Sequence, residues 1–113
     1  MSVKQLDISF DNCSPAEGAT LAQDLETQLR EVDHSTKLSL KKARADSQDF
    51  GTTLVVLFGT PVAIALAKAI AMFLQRHSGA SITISADGAV LGKNLDSKDA
   101  AKIAEAFSGR GRG

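Results

Sequence analysis

The sequence predicts an α+β fold: a two-layer sandwich with helices over one face of a mixed four-stranded sheet, in the order β-α-β-α-α-β-β-α. Three observations lead there. Stretches of period-two alternation bracket stretches of helical period. Each candidate strand has one apolar and one polar face, as a sheet covered on one side requires. The middle of the chain, residues 51–67, carries no charge, and beyond Lys68 the apolar character resumes from Ala69 to Phe73.

Leu6, Ile8 and Phe10 alternate with Asp7 and Ser9, the signature of a half-buried strand closed by Asp11 and Asn12. Ser14-Pro15-Ala16-Glu17 then supplies a capping residue, a proline at the first helical position and a glutamate three residues after the cap. Leu21, Ala22, Leu25, Leu29 and Val32 follow at helical spacing, with Glu26 and Arg30 paired one turn apart outside. Residues 37–41 form a second strand with Leu38 and Leu40 on one face, so the chain begins as a βαβ unit with parallel strands.

Residues 43–49 are polar and read as a loop. Residues 52–58 are ambiguous: β-branched content favours a strand, whereas continuity with the next helix and Asp49 as a cap favour a short helix. The short helix is the reading adopted. Gly59-Thr60-Pro61 breaks and restarts the chain, with Thr60 as cap, and the central helix runs to about His77 and ends at Gly79.

Residues 81–86 form a strand with Ile82 and Ile84 on one face. Asp87-Gly88 is a strong two-residue hairpin signal. That turn pairs Ala86 with Ala89, Ile84 with Leu91 and Ile82 with Lys93, which gathers Ile82, Ile84 and Leu91 on one apolar face. Asp96 or Ser97 caps a last helix carrying Ala100, Ile103, Ala104 and Phe107 inward. The expected organisation is one α+β domain over residues 1–107 and a disordered Gly/Arg-rich tail over residues 108–113.

Chemistry is sparse. His34, His77 and Cys13 lack metal-ligand spacing, no phosphate-loop glycine pattern occurs, and nothing resembles a nucleophile elbow. No catalytic residue, metal or cofactor is expected, nor a small-molecule substrate. Asp24, Glu26 and Asp99 read as solvated helix charges, and His77 beside Arg76 as a cation at a helix end. Thirteen basic residues balance thirteen acidic ones, so no net field draws the chain to nucleic acid. Lys37, Lys41, Lys42 and Arg44, with Arg110 and Arg112, are read as a solvated basic face rather than a phosphate site. One cysteine and a polar start without a signal-peptide pattern favour the cytoplasm.

The charge-poor middle segment decides the functional expectation. Residues 53–73 approach the ~20 apolar residues that cross a bilayer. A single crossing, however, would divide the remaining chain into two halves, each too small to fold. A central helix with Val62, Leu66, Ala69 and Phe73 inward would instead complete the core. That helix is apolar nearly all round, with Lys68 and Gln75 as a thin polar stripe, so its outer face is expected to meet a second copy, a partner or lipid. The candidate interface residues are Phe58, Val62, Leu66, Phe73 and Leu74. Membrane insertion or pore formation through residues 53–74 is the alternative.

The run Thr53-Leu54-Val55-Val56-Leu57-Phe58-Gly59, the Ala-rich helix ending in Phe73-Leu74-Gln75-Arg76, and the segment Ile82-Thr83-Ile84-Ser85-Ala86-Asp87-Gly88 together carry a resemblance. The chain resembles the effector-associated constant component family of bacterial conflict systems over most of residues 5–107. Members carry a tryptophan near the end of the central helix, where this chain has Phe73-Leu74. The resemblance implies a non-enzymatic adaptor or regulatory component in bacterial antiviral defence. It would associate with itself and with a separately encoded effector, such as a protease or NTPase module.

Overall fold

The computed structural model describes residues 3–11, 13–42, 52–77, 79–86 and 89–108, and structural statements below concern those residues. The loop expected over residues 43–49 with Arg44, the 87–88 turn, and the tail beyond residue 108 with Arg110 and Arg112 lie outside them. The elements are β1 (Val3–Asp11), α1 (Pro15–Val32), β2 (Lys37–Lys42), β3 (Thr52–Gly59), α2 (Ala63–Arg76), β4 (Ser81–Ala86), β5 (Ala89–Leu95) and α3 (Ala100–Ser108), with 3-10 turns leading into α2 and α3. The α+β class holds.

The sheet is five-stranded, not four-stranded, and its order is β2-β3-β1-β4-β5. Every neighbouring pair is antiparallel, so the expected mixed sheet is corrected as well. Both differences have one cause: the segment read as a short helix is strand β3. Its β-branched residues suit a pleated backbone, and the period of two places Leu54, Val56 and Phe58 in the core. β1 and β2 do point the same way, but β3 lies between them and pairs antiparallel with each, giving the split β-α-β order.

Register explains which residues the sheet buries. Leu6 lies opposite Val56 and Ile8 opposite Leu54, while on the other side of β1 Ile8 meets Ile84 and Phe10 meets Ile82. All of these are core residues. Gln5, Asp7 and Ser9 alternate onto the other face. Val55 is also buried, on that second face between Asp7 and Ser39 in register.

α1 begins as its sequence requires. The Ser14 side chain accepts a hydrogen bond from the Glu17 amide at 3.2 Å, and the Glu17 carboxylate accepts one from the Ser14 amide at 3.0 Å. Ala22, Leu25 and Leu29 are buried, whereas Val32 at the last turn is exposed. Arg30 reaches Glu26 at 2.8 Å on the outer side. α1 packs on β1, β2, β3 and α2.

The restart at Gly59-Thr60-Pro61 is a 3-10 turn over Thr60–Val62 with Gly59 as its flanking residue, so α2 begins at Ala63 rather than directly after a Thr60 cap. It ends at Arg76, and Gly79 takes a positive φ of 93° where the chain reverses into β4. The charge-poor run is therefore divided between a strand and a helix of 14 residues, about 21 Å long. No helix among the described residues is long and apolar enough to cross a membrane.

The hairpin pairs Ala86 with Ala89 as expected and then departs from the expected register: Ile84 meets Gly92 rather than Leu91, and Ile82 meets Leu95 rather than Lys93. A tight turn specifies only the pair that closes it; irregularities further along shift everything beyond. The result corrects the core list. Leu91 is 49% exposed, and Leu95, 2% exposed, takes the buried place. After β5, Asp96 caps the turn into α3 and forms a reciprocal pair with Asp99. Ile103 and Phe107 point inward as expected; Ala104 is half-buried, and Ala100 is exposed.

Candidate functional site

The five residues expected at an interface are placed mostly inside the protomer. Phe58, Leu66, Phe73 and Leu74 belong to the core cluster, and Val62 is half-buried against it. Phe58 stacks near Phe107 with ring centroids 5.1 Å apart, and Phe73 meets Phe10 edge-on at 6.2 Å. Leu66 and Phe73 lie inward, as expected of a helix that completes the core, and it is the assignment of these residues to an interface that is corrected. With β3 in the sheet, α2 must close a five-stranded core, and it spends more of its circumference on that core than the four-stranded arrangement required.

The side of α2 left to solvent consists of Ile64, Ala65, Lys68, Met72, Gln75 and Arg76. Ile64 is 50% exposed and Met72 55% exposed, and they stand at i and i+8 with Lys68 midway. α3 packs beside α2. Between the two helices runs a groove of about 440 Å3, lined by Ile64, Ala67, Lys68, Ala71, Met72 and three alanines of α3, Ala100, Ala101 and Ala104. The alanines set a low floor, and Ile64 and Met72 stand along one wall. Lys68 is the single charged group in this lining, and it has no carboxylate within ion-pair distance among the described residues.

A second depression of about 580 Å3 lies where the start of α1 faces the end of α2, lined by Asp11, Cys13, Glu17, Thr20, Asp24 and His77 among others. Its polar groups are engaged locally. Asp11 accepts from the Thr83 hydroxyl at 2.8 Å, Glu17 serves the helix cap, and His77 lies 3.9 Å from Asp24. The His77 ring rests on Phe73 with centroids 4.4 Å apart, while its amide closes the last turn of α2 on the Phe73 carbonyl.

Burial raises the Cys13 thiol above its ordinary value, and the Glu17 and Asp11 carboxylates raise it further. A thiol held protonated in this way is a poor nucleophile. Among the described residues no group of three His, Cys, Asp or Glu side chains could hold a metal ion. Asp33 is shifted the other way: hydrogen bonds from the Ser35 and Thr36 side chains hold its carboxyl below the usual range, as part of the turn that ends α1. Lys37 is exposed at the start of the edge strand β2, whose last two residues are Lys41 and Lys42.

Sequence reasoning pointed to the central helix, assigned interface residues on the side that the fold buries, and missed the outward Ile64 and Met72. The signal was present: Ile64 and Met72 flank Lys68 at helical spacing, and one polar residue on an apolar helix marks its solvent side. The α3 half of the groove had no comparable mark, because alanine suits either a buried or an exposed position. Comparison with protein-family models, curated proteins and solved structures found no match to this chain, so its own surface carries the functional reading.

Proposed function

We propose that this chain is a non-enzymatic adaptor of a bacterial conflict system, built as helices layered on one face of its sheet, that docks a separately encoded effector through the groove between α2 and α3. The effector is a protein of protease or NTPase type, as the family resemblance implies, and the meeting place is the cytoplasm. The observation that supports this most is the placement of Ile64 and Met72, two large apolar side chains half exposed beside an alanine-floored groove. Such surface is favourable to cover and unfavourable to leave in water.

Three further features agree. The thiol at position 13 is deactivated, the Glu17 and Asp11 carboxylates of the second depression are engaged in a cap and a local hydrogen bond, and zero net charge offers no general pull toward nucleic acid.

The test is co-expression with the product of each adjacent gene, followed by co-purification. Met72→Glu, which leaves the core untouched, is expected to abolish capture of the effector while the chain keeps its native circular dichroism. Retained capture by the Met72→Glu and Ile64→Glu chains would remove the groove from the function. A turnover activity in the purified chain, lost on changing one polar residue, would remove the adaptor reading altogether.

A further inference from the structure

Resting on that docking reading, we infer what chemistry the groove accepts: a helix from a different protein, bearing a bulky apolar side chain and, one turn away, a carboxylate. The bulky side chain seats on the alanine floor between Ile64 and Met72. The carboxylate meets the ammonium of Lys68.

The floor decides the first half. Ala67 and Ala71 of α2 face Ala100, Ala101 and Ala104 of α3, so one side of the groove is low on both helices. A side chain the size of leucine or phenylalanine could descend there and bury its surface against Ile64 and Met72. Alanine or serine would leave the space unfilled. A helix is the economical way to present such a side chain, because its backbone polar groups are already paired and can approach an apolar surface without loss.

Charge decides the second half. Lys68 lies midway along the exposed stripe, with no acid among the groove-lining residues and no ion-pair partner among the described ones. Covering the groove with an apolar surface would strip water from an uncompensated ammonium, which opposes binding. A carboxylate on the incoming helix removes that penalty, steers approach and fixes register.

The same charge argues against a second copy of this chain as the occupant. A twofold pairing of two α2 helices that covers Ile64 of each with Met72 of the other would bring the two Lys68 side chains together across the axis. Like charges so placed oppose association. The groove is therefore suited to a heterologous partner.

The experiment uses the full chain and a displayed library of helical peptides, randomised at one central position and at the positions one turn to either side. Enriched peptides should carry Leu, Met or Phe at the centre and Asp or Glu one turn away. Panning on the Lys68→Glu chain should enrich Lys or Arg at that same place. Exchanging Glu for Gln in a selected peptide should weaken binding about two- to five-fold at low salt, and the difference should shrink at high salt. Ala101→Trp, which fills the groove from its exposed rim, should abolish binding by every selected peptide while circular dichroism stays native.

Binders that show no acidic preference, that survive Ala101→Trp, or that fail to switch charge with Lys68→Glu would each overturn the inference. So would the absence of any binder. A dimer of the chain at tens of micromolar that Ala101→Trp dissociates would replace it with self-association. Failure of effector capture would instead strike the defence-adaptor reading, and the peptide preferences would still stand or fall by themselves.

Discussion

Leu95 fills the space that a side chain at position 92 would need. A Cβ built on Gly92 would stand 2.7 Å from Cδ1 of Leu95, closer than packed carbons tolerate. Gly92 lies opposite Ile84 and Leu95 opposite Ile82, so the missing side chain at one position lets the next apolar residue fold over into the core. Leu95 is thereby buried, and Leu91 is left outside.

Gly92→Val is accordingly expected to destabilise the fold by about 1–3 kcal/mol through overpacking against Leu95. Leu91→Ser should change stability by no more than about 0.5 kcal/mol, because that side chain is half exposed. Urea titrations of the two variants decide it. Equal effects, or a larger one at Leu91, would restore the simpler hairpin register.

Phe73 and Met72 are neighbours in sequence and opposites in environment. Phe73 is fully buried against Phe10 and His77, and Met72 faces water. Phe73→Ala should cost about 3–5 kcal/mol, and Met72→Ala no more than about 0.5 kcal/mol. Thermal unfolding is a sufficient measurement. Comparable losses would mean that α2 is rotated from the position described.

The cap at the start of α1 is reciprocal, and the Ser14 side chain supplies the half of it that accepts from the Glu17 amide, so removing that side chain should be felt. Ser14→Ala is expected to lower stability by about 1 kcal/mol, visible as a drop of several degrees in Tm for a chain of this size. Ser14→Asp, which retains the acceptor, should recover most of it. No rescue by aspartate would assign the loss to some other contact.

Cys13 should react slowly. Its thiol titrates above the ordinary value of 9.0, first because of burial and then because of Glu17 and Asp11. Alkylation at neutral pH should therefore lag behind that of the same chain unfolded in urea. Glu17→Gln keeps an acceptor for the cap while removing one of the raising charges, and it should quicken the reaction. A folded-state rate equal to or above the unfolded one would reverse the assignment.

Asp33 gives a pH dependence of definite sign. Its carboxyl is held below the ordinary value of 3.8 by the Ser35 and Thr36 hydroxyl groups, so the folded chain favours the charged form. That contribution is present above the ordinary carboxylate range and is lost as the pH falls through the lowered folded-state value. Asp33→Asn should reduce stability at pH 7 and narrow the gap from wild type in strong acid. A gap that widened toward low pH would show the opposite shift.

Much of this molecule could be read from local chemistry. The cap at Ser14, the Glu26–Arg30 pair, the alternation of β1, the end of α2 near His77 and the inward Ile103 and Phe107 depend on residues a few positions apart. Two outcomes could not be read that way. β3 carries apolar residues on both faces, Leu54, Val56 and Phe58 on one and Val55 and Leu57 on the other, a composition that a buried helix segment shares. The expected hairpin register was overturned by a shift that only packing around Gly92 and Leu95 reveals.

The sequence by itself determined where the helices and strands outside residues 52–62 lie, which α+β class they build, and that the middle of the chain has more apolar surface than a solvated helix should. Tertiary structure decided how that surface is shared. By placing β3 in the sheet it drew Phe58 and Leu74 into the core beside the inward Leu66 and Phe73, and left Ile64, Lys68 and Met72 beside α3. Helical and strand periods act over a few residues, whereas the partner that covers an apolar side chain comes from elements distant in the chain, and the sequence names no such pairing.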